Sequence, residues 1–386
     1  MRIERELLGD WFILGSQSGW RYSLTGVGRP PLELADLGEI DAATSLDWGG
    51  NYYGPTLLKE RIIQAQQYRL QPEDLFLTNG TYEANYVAVM GLIDAGDEVV
   101  VESPAWTQVG LLCRALGAHV KVLQLRPEQG WLPDPDELAR LMTPRTRLVY
   151  LNHPNNPTGA CLDDAHMASL VRVVRQHGAY LLADEIYRGL EWSGALSATA
   201  ANHYERAVVT NSLTKTLGLC GLRLGWVGTA DREAYERLFA VHRYAVMVTN
   251  HLGEMLATRA LEPTTYARLL ASGKAVGQAN LAALRAWMHA NQLFRWVEPG
   301  GGYTSFAAFD LDISSWDLCR RLLDEPYQTY LVPGVCYGPE YQRQIRIGFG
   351  GKGAERVPEG LQMLDRFCQD VAAGGRLPVS LATGAA

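Results

Sequence analysis

Lysine is scarce in this chain: Lys59, Lys121, Lys215, Lys274 and Lys352 are the five among 35 basic residues in a length of 386. Long apolar runs are missing too, and none approaches the ~18 residues that a membrane helix needs. The six cysteines, Cys113, Cys161, Cys220, Cys319, Cys336 and Cys368, form no Cys-x-x-Cys pair. That argues against a zinc site and against a disulfide framework. No Gly-x-Gly-x-x-Gly follows an early strand, so the signature of a nicotinamide-binding dehydrogenase is absent. A surplus of positive charge is lacking as well: the net charge of −7 excludes a nucleic-acid binder. No internal repeat is visible. The charged start, Met1 to Glu6, has no apolar secretory core, so a reducing cytoplasm is the expected location. What remains is a globular chain, 47% hydrophobic, longer than one usual domain.

Against that scarcity, one lysine stands out. Lys215 lies in Ser212-Leu213-Thr214-Lys215-Thr216-Leu217-Gly218, with Arg223 eight residues on. A guanidinium stays charged and cannot act as an amine nucleophile, whereas a partly desolvated lysine can. Schiff-base chemistry needs such an amine. Ser212, Thr214 and Arg223 are groups that bind a phosphate, and pyridoxal phosphate carries both an aldehyde and a phosphate. The plainer alternative is a solvated lysine in a glycine-rich loop.

Three further segments bear on that choice. Leu148 to Asn152 reads as a buried strand, followed by His153-Pro154-Asn155-Asn156-Pro157-Thr158-Gly159. Its prolines and glycine make a rigid turn at a strand's carboxyl end, where α/β folds place ligands. Tyr180 to Ala183 is a second buried strand, ending at Asp184 with Tyr187 three residues on. A carboxylate beside a pyridine nitrogen keeps it protonated, and a protonated ring is the better electron sink. A helix-capping aspartate with a core tyrosine is the alternative there. Leu75 to Thr78 is a third strand, which runs through Asn79-Gly80 into a helix beginning near Thr81 and Tyr82. Free N–H groups and the positive helix end then face one point, which suits an anion.

Together, in this order and spacing, the four segments resemble the fold type I pyridoxal-phosphate enzymes, in particular the class I/II aminotransferase family. The resemblance runs from about Tyr53 to Gly350. Within the family the chain is most similar to the capreomycidine synthase-like branch, on Tyr53-Gly54, Leu331-Val332-Pro333-Gly334 and Arg346-Ile347-Gly348-Phe349. The resemblance implies a seven-stranded, mainly parallel sheet between helices, plus a smaller α+β domain. It implies pyridoxal 5'-phosphate as cofactor, with Lys215 as the Schiff-base lysine and proton shuttle. Asp184 would face the ring nitrogen, Asn156 and Tyr187 the ring hydroxyl, and Trp106 the ring face. Gly80, Thr81, Tyr82, Ser212 and Arg223 would take the phosphate. Arg346 would grip the α-carboxylate of an amino-acid substrate, with Asn156 beside it, a task that suits guanidinium geometry. Tyr53 would reach the neighbouring subunit's cofactor, so a homodimer is implied; Tyr52 is the competing candidate for that reach.

The chain divides on this reading into an N-terminal segment (1–45), a large cofactor domain (46–245), a small domain (246–373) and a disordered tail (374–386). The N-terminal segment is read as a cover over the site mouth or a dimer arm, with Trp20, Arg21, Tyr22 and Arg29, and later Tyr303, as possible substrate contacts. Strands alternating with helices over 46–245 imply a parallel sheet covered on both faces. Amino transfer is the first expectation for the reaction. Elimination, cyclisation or decarboxylation of a bulky amino acid in specialised metabolism is the alternative, since the same residues serve all these outcomes.

Overall fold

Alternation along the strands builds two cores at once. A computed structural model describes residues 3–41, 43–48 and 50–372; the expected tail, 374–386, lies outside the described residues. The first eight strands are β1 (Tyr22–Ser23), β2 (Leu75–Thr78), β3 (Glu98–Ser103), β4 (His119–Gln124), β5 (Thr146–Asn152), β6 (Tyr180–Asp184), β7 (Ala207–Ser212) and β8 (Gly225–Gly228). Seven of them form one sheet in the order β2-β8-β7-β6-β5-β3-β4. Successive side chains point to opposite faces. Val99, Val101, Leu148, Tyr150 and Leu182 therefore enter one apolar cluster, while Val100, Val149, Leu151 and Leu181 enter the other. Helix Thr81–Leu92 covers the first face with Ala84, Val87 and Ala88, and helix Asp164–Gln176 the second with Met167, Leu170 and Val174. Both faces are dry, as a parallel sheet requires.

The strands from β3 to β7 pair in parallel, so their carboxyl ends share one edge, with Asn152 beside Asp184 and Asp184 beside Thr210. β8 runs antiparallel to both β7 and β2. The twelve residues between Ser212 and Gly225 hold only the one-turn helix Leu213–Thr216 and a short turn at Cys220–Leu222, so no helical crossover forms and the chain returns antiparallel. That short return holds Lys215 against the sheet edge.

The later strands are β9 (Phe294–Arg295), β10 (Thr304–Phe309), β11 (Thr329–Tyr330), β12 (Val332–Pro333) and β13 (Gln344–Gly348). Four of them form an antiparallel sheet, β12-β13-β10-β9, and β11 pairs with β1. Packing departs from chain order in two places. Leu256, Ala257 and Leu261 join the core of the large sheet. Leu8 and Trp11, on helix Leu7–Ser16, are buried with Phe306, Leu331 and Ile347, and Trp11 Nε1 donates to Leu331 O at 2.8 Å. That helix is hidden in the sequence because its apolar residues leave no clean stripe: Leu7 and Ile13 stay exposed, and no side chain caps its start. Among the described residues no helix is long and apolar enough to cross a membrane.

Candidate active site

A cavity of about 520 Å³ lies at the carboxyl edge of the large sheet, closed on its far side by residues of β13 and of the N-terminal segment. Lys215 lines it from the one-turn helix Leu213–Thr216, whose start is capped by Ser212 Oγ accepting from Thr214 N. Arg29 N donates to Lys215 O at 3.0 Å, and a Cβ at Gly28 would stand 3.0 Å from that same oxygen. Glycine at 28 therefore allows the two segments to touch. Burial pushes the Lys215 ammonium below its ordinary value; Cys220 and Asp184 oppose this, while the charges of Arg346 and Arg223 add to it. A free amine is the nucleophilic form.

Asp184 ends β6 and faces the cavity. Its Oδ2 accepts from Asn85 Nδ2 at 2.9 Å and its Oδ1 from Ile186 N at 3.1 Å. Thr210 Oγ1 donates to Asn85 Oδ1 at 2.7 Å, which fixes the orientation of the amide. Burial nevertheless raises Asp184 to about 6, and raises its neighbour Glu185 to about 7. Both lie above the ordinary 3.8 and 4.5, so the folded state holds protons that the unfolded chain has released. The stabilisation is present at acid pH and is lost as pH rises through about 6 to 7. Between pH 4.5 and 7.5 the unfolding free energy of cofactor-free protein, read from urea titrations, is expected to fall by roughly 3–5 kcal/mol.

Arg346 sits in β13 opposite Phe306 and Val332 and is 1% exposed, unlike most lone arginines in a strand. Its Nη1 donates to Tyr337 OH at 2.8 Å and to Asn156 Oδ1 at 3.2 Å, and its Nη2 donates to Thr25 O at 3.0 Å. Phe12 lies against the guanidinium at 5.7 Å. Nε is buried with no hydrogen-bond partner among the described residues. Tyr337 OH donates in turn to Asn156 Oδ1 at 3.1 Å, so arginine, tyrosine and asparagine form one braced unit. Tyr187 lines the same cavity, its hydroxyl held well above the ordinary value by burial.

The loop that carries Asn156 is anchored from beneath. Glu102 on β3 meets His153 Nε2 at 3.0 Å and accepts from Asn152 N; His153 Nδ1 lies 3.3 Å from Ala160 O. A carbonyl only accepts, so Nδ1 carries a proton. Both partners are buried, and removing one leaves the other poorly matched. His153→Ala is therefore expected to lower unfolding stability by ~3 kcal/mol in a urea titration.

The anion site forms where β2 meets helix Thr81–Leu92. Gly80 has φ +83°, and a Cβ there would come 2.6 Å from Arg223 Nη2, so only glycine lets that guanidinium lie across the turn. Arg223 donates to Cys220 O and to Asn79 O, both at 3.3 Å. Thr81 Oγ1 is buried without a partner among the described residues. Ser212, Thr214, Thr81, Tyr82 and Arg223 line this end of the cavity, and Trp106 stands edge-on to Tyr82 with ring centres 5.5 Å apart. An unpartnered hydroxyl, a helix start and a guanidinium fit a phosphate; an amine, a carboxylate and a tryptophan fit the aldehyde, nitrogen and face of a pyridine.

Some expected residues lie elsewhere. Gly80 borders the cup without lining the cavity. Tyr53 is 54% exposed, stacks on Phe239 at 5.0 Å and does not line this chain's cavity; Tyr52 packs on Trp48. Trp20 stacks on Tyr330, Tyr22 lies between Arg21 and Arg356, and Tyr303 donates to Gly273 O, all away from the cavity lining. Asn85, Thr25, Phe12, Tyr337 and Lys352 were not anticipated. Asn85 could have been found: it stands four residues after Thr81, one turn along the same helix face.

The family model for class I and II aminotransferases matches residues 33–364. Capreomycidine synthase of Streptomyces vinaceus is 33% identical over 300 residues, covering 77% of this chain and 76% of its own. The arginine–pyruvate transaminase AruH of Pseudomonas aeruginosa is 31% identical over 358 residues, 89% of each chain. Among solved structures, a PLP-dependent aminotransferase from Streptococcus suis superposes with a TM-score of 0.88 at 30% identity, covering 96% of this chain and 99% of its own. The PLP-dependent cyclase OrfR gives 0.84 at 28% identity, covering 96% and 98%. The chain belongs to the class I and II aminotransferase family of pyridoxal-phosphate-dependent enzymes.

Proposed function

We propose that this enzyme transfers the amino group of an amino acid to a keto acid, working at the substrate's α-carbon. The observation that carries chemistry at the α-carbon is the meeting of a desolvated amine, Lys215, with Asp184 and Arg346 around one cavity, and similarity to aminotransferases favours amino transfer among its outcomes. When bound, pyridoxal phosphate supplies an aldehyde that condenses with amines and a ring that accepts the electron pair released at the α-carbon. Arg346 holds the substrate's α-carboxylate through its guanidinium, which orients the α-hydrogen toward Lys215. Lys215 Nζ takes that proton and, for amino transfer, returns it to the former aldehyde carbon on the other side of the nitrogen. Asp184 keeps the ring nitrogen protonated, and Asn85 and Thr210 aim its carboxylate. Asn156 and Tyr187 hold the ring hydroxyl. Trp106 covers the ring face, and Thr81, Tyr82, Ser212 and Arg223 receive the phosphate, with Gly80 leaving room for the Arg223 guanidinium.

The enzyme works as a homodimer in the cytoplasm, a location that its six free thiols suit. The small domain, taken to begin after Leu261 because the stretch before it packs in the core of the large sheet, and the N-terminal segment close over the cofactor site of the large domain. Tyr53 reaches the partner's phosphate, a role supported by its exposed hydroxyl-bearing ring outside its own chain's cavity. Tyr53→Phe is expected to weaken cofactor retention by about tenfold on dialysis while the dimer persists in sedimentation.

Similarity to capreomycidine synthase and to the cyclase OrfR favours a second reading, β-elimination followed by addition or ring closure. Mass spectrometry of products from a mixed amino-acid panel, with and without pyruvate or 2-oxoglutarate, separates the two. Amino transfer that depends on the keto acid supports the proposal. Ammonia, a new ring or carbon dioxide without any keto acid would replace it.

A further inference from the structure

Helix Thr81–Leu92 begins without a side-chain cap, because Gly80 at its N-cap position has no side chain to offer. Its first N–H groups are thereby left for a ligand. The turn before it is held from behind instead. Glu83, in the first turn of the helix, reaches back: its Oε2 accepts from Asn79 N at 2.6 Å and from Asn79 Nδ2 at 3.0 Å. Its Oε1 meets His242 Nδ1 at 2.6 Å. His242 comes from a different helix, Arg232–Ala245, and packs against Phe76 and Phe239 with ring centres 5.4 and 5.8 Å away. The two side chains are 10% and 2% exposed, and neither residue lines the cavity.

A carboxylate in the first turn competes with any anion at a helix start. Here both oxygens of Glu83 are engaged, by Asn79 and by His242. A glutamate that only caps reaches the N-cap N–H and needs no further partner. This one bonds one residue earlier and is tied to a buried histidine of a second helix. Asn79 in turn accepts from Arg223 Nη2 on its carbonyl at 3.3 Å. His242, Glu83, Asn79 and Arg223 therefore form one line of hydrogen bonds that runs from a buried helix to the anion site.

We propose that Glu83 and His242 are positioning residues for the cofactor's phosphate: by fixing Asn79 they set the Gly80 turn and the Arg223 guanidinium in place before the phosphate arrives. Groups already in place bind without the cost of being ordered. The proposal rests on the reading of this end of the cavity as the phosphate site.

The test compares two ligands that differ only in the phosphate. Full-length protein freed of cofactor is titrated with pyridoxal phosphate and with pyridoxal, and binding is followed by cofactor absorbance. The wild type is expected to bind pyridoxal phosphate ~100-fold or more tightly than pyridoxal. In Glu83→Leu and in His242→Leu that ratio is expected to fall ~10-fold, with pyridoxal affinity unchanged within about threefold. His242→Asn, whose Nδ2 can donate from the place of Nδ1, should keep the ratio within about threefold of wild type. Equal weakening of both ligands in the leucine variants, or an unchanged ratio, would overturn the proposal. So would a loss in His242→Asn as large as that in His242→Leu. Should Glu83→Leu not fold, the two His242 variants decide, since they leave the bonds between Glu83 and Asn79 intact. A wild type that binds pyridoxal as tightly as pyridoxal phosphate would remove the reading of the phosphate site itself, and the positioning role with it.

Discussion

Lys215→Ala is expected to lower turnover by ~10⁴-fold or more, because on the proposed reading one side chain serves as both the nucleophilic amine and the base that moves the α-proton. The position of the residue makes the loss hard to rescue. Lys215 is fixed by the one-turn helix after β7 and by the Arg29 N–H on its carbonyl, and no other lysine shares that anchorage. Lys352 is the other lysine lining the cavity, and it is exposed on a different loop. Borohydride reduction of the loaded wild type, followed by peptide mass mapping, should place the cofactor's mass on the peptide containing Lys215. The alanine variant should carry none. A mass increase on Lys352, or turnover that survives in Lys215→Ala, would refute the assignment of the amine.

Much of this site was legible because it is local. Each strand–turn–helix segment sets its own geometry: β2 into Gly80 and Thr81, β6 into Asp184, β7 into Ser212 and Lys215. A parallel sheet then brings strand ends together whatever their distance in sequence. The antiparallel run of β8 was not read: a gap of twelve residues is just long enough for a crossover and leaves the direction open. Residues that work across domains were harder. Thr25 matters only because β13 places Arg346 against it, a contact between positions 321 apart in the chain, and Tyr337 only because the turn before β13 brings it back onto the same guanidinium. Trp20 and Tyr22 looked like substrate contacts by their chemistry, but β1 pairs with β11 and turns them into the small domain's own packing. Glu102 and His153 read as ordinary strand and loop residues. The parallel pairing of β3 with β5 makes them a buried pair beneath the asparagine loop.

Asp184→Asn should separate stability from function. Turnover is expected to fall ~10³-fold, since a neutral amide cannot hold a positive charge on the ring nitrogen, and ~10³ corresponds to about 4 kcal/mol of lost stabilisation. The same change should not destabilise the cofactor-free protein at neutral pH. Asp184 is buried, and its value of about 6 means that ionising it at pH 7 works against folding. An asparagine of nearly the same shape removes the buried charge and can still accept from Asn85 Nδ2 through its oxygen, and the loss of the Ile186 N–H bond, which its amide nitrogen cannot accept, offsets only part of that gain. The fall in urea midpoint between pH 4.5 and 7.5 should therefore become shallower, leaving the part due to Glu185, which titrates near 7. A variant that loses activity and gains apoprotein stability at pH 7.5 is the signature of a group held in strain for catalysis. Loss of both would mean instead that Asp184 chiefly holds the edge of the sheet together through Asn85 and Ile186. Unchanged activity would show that the ring nitrogen needs no carboxylate, and would take with it the reason for burying one there.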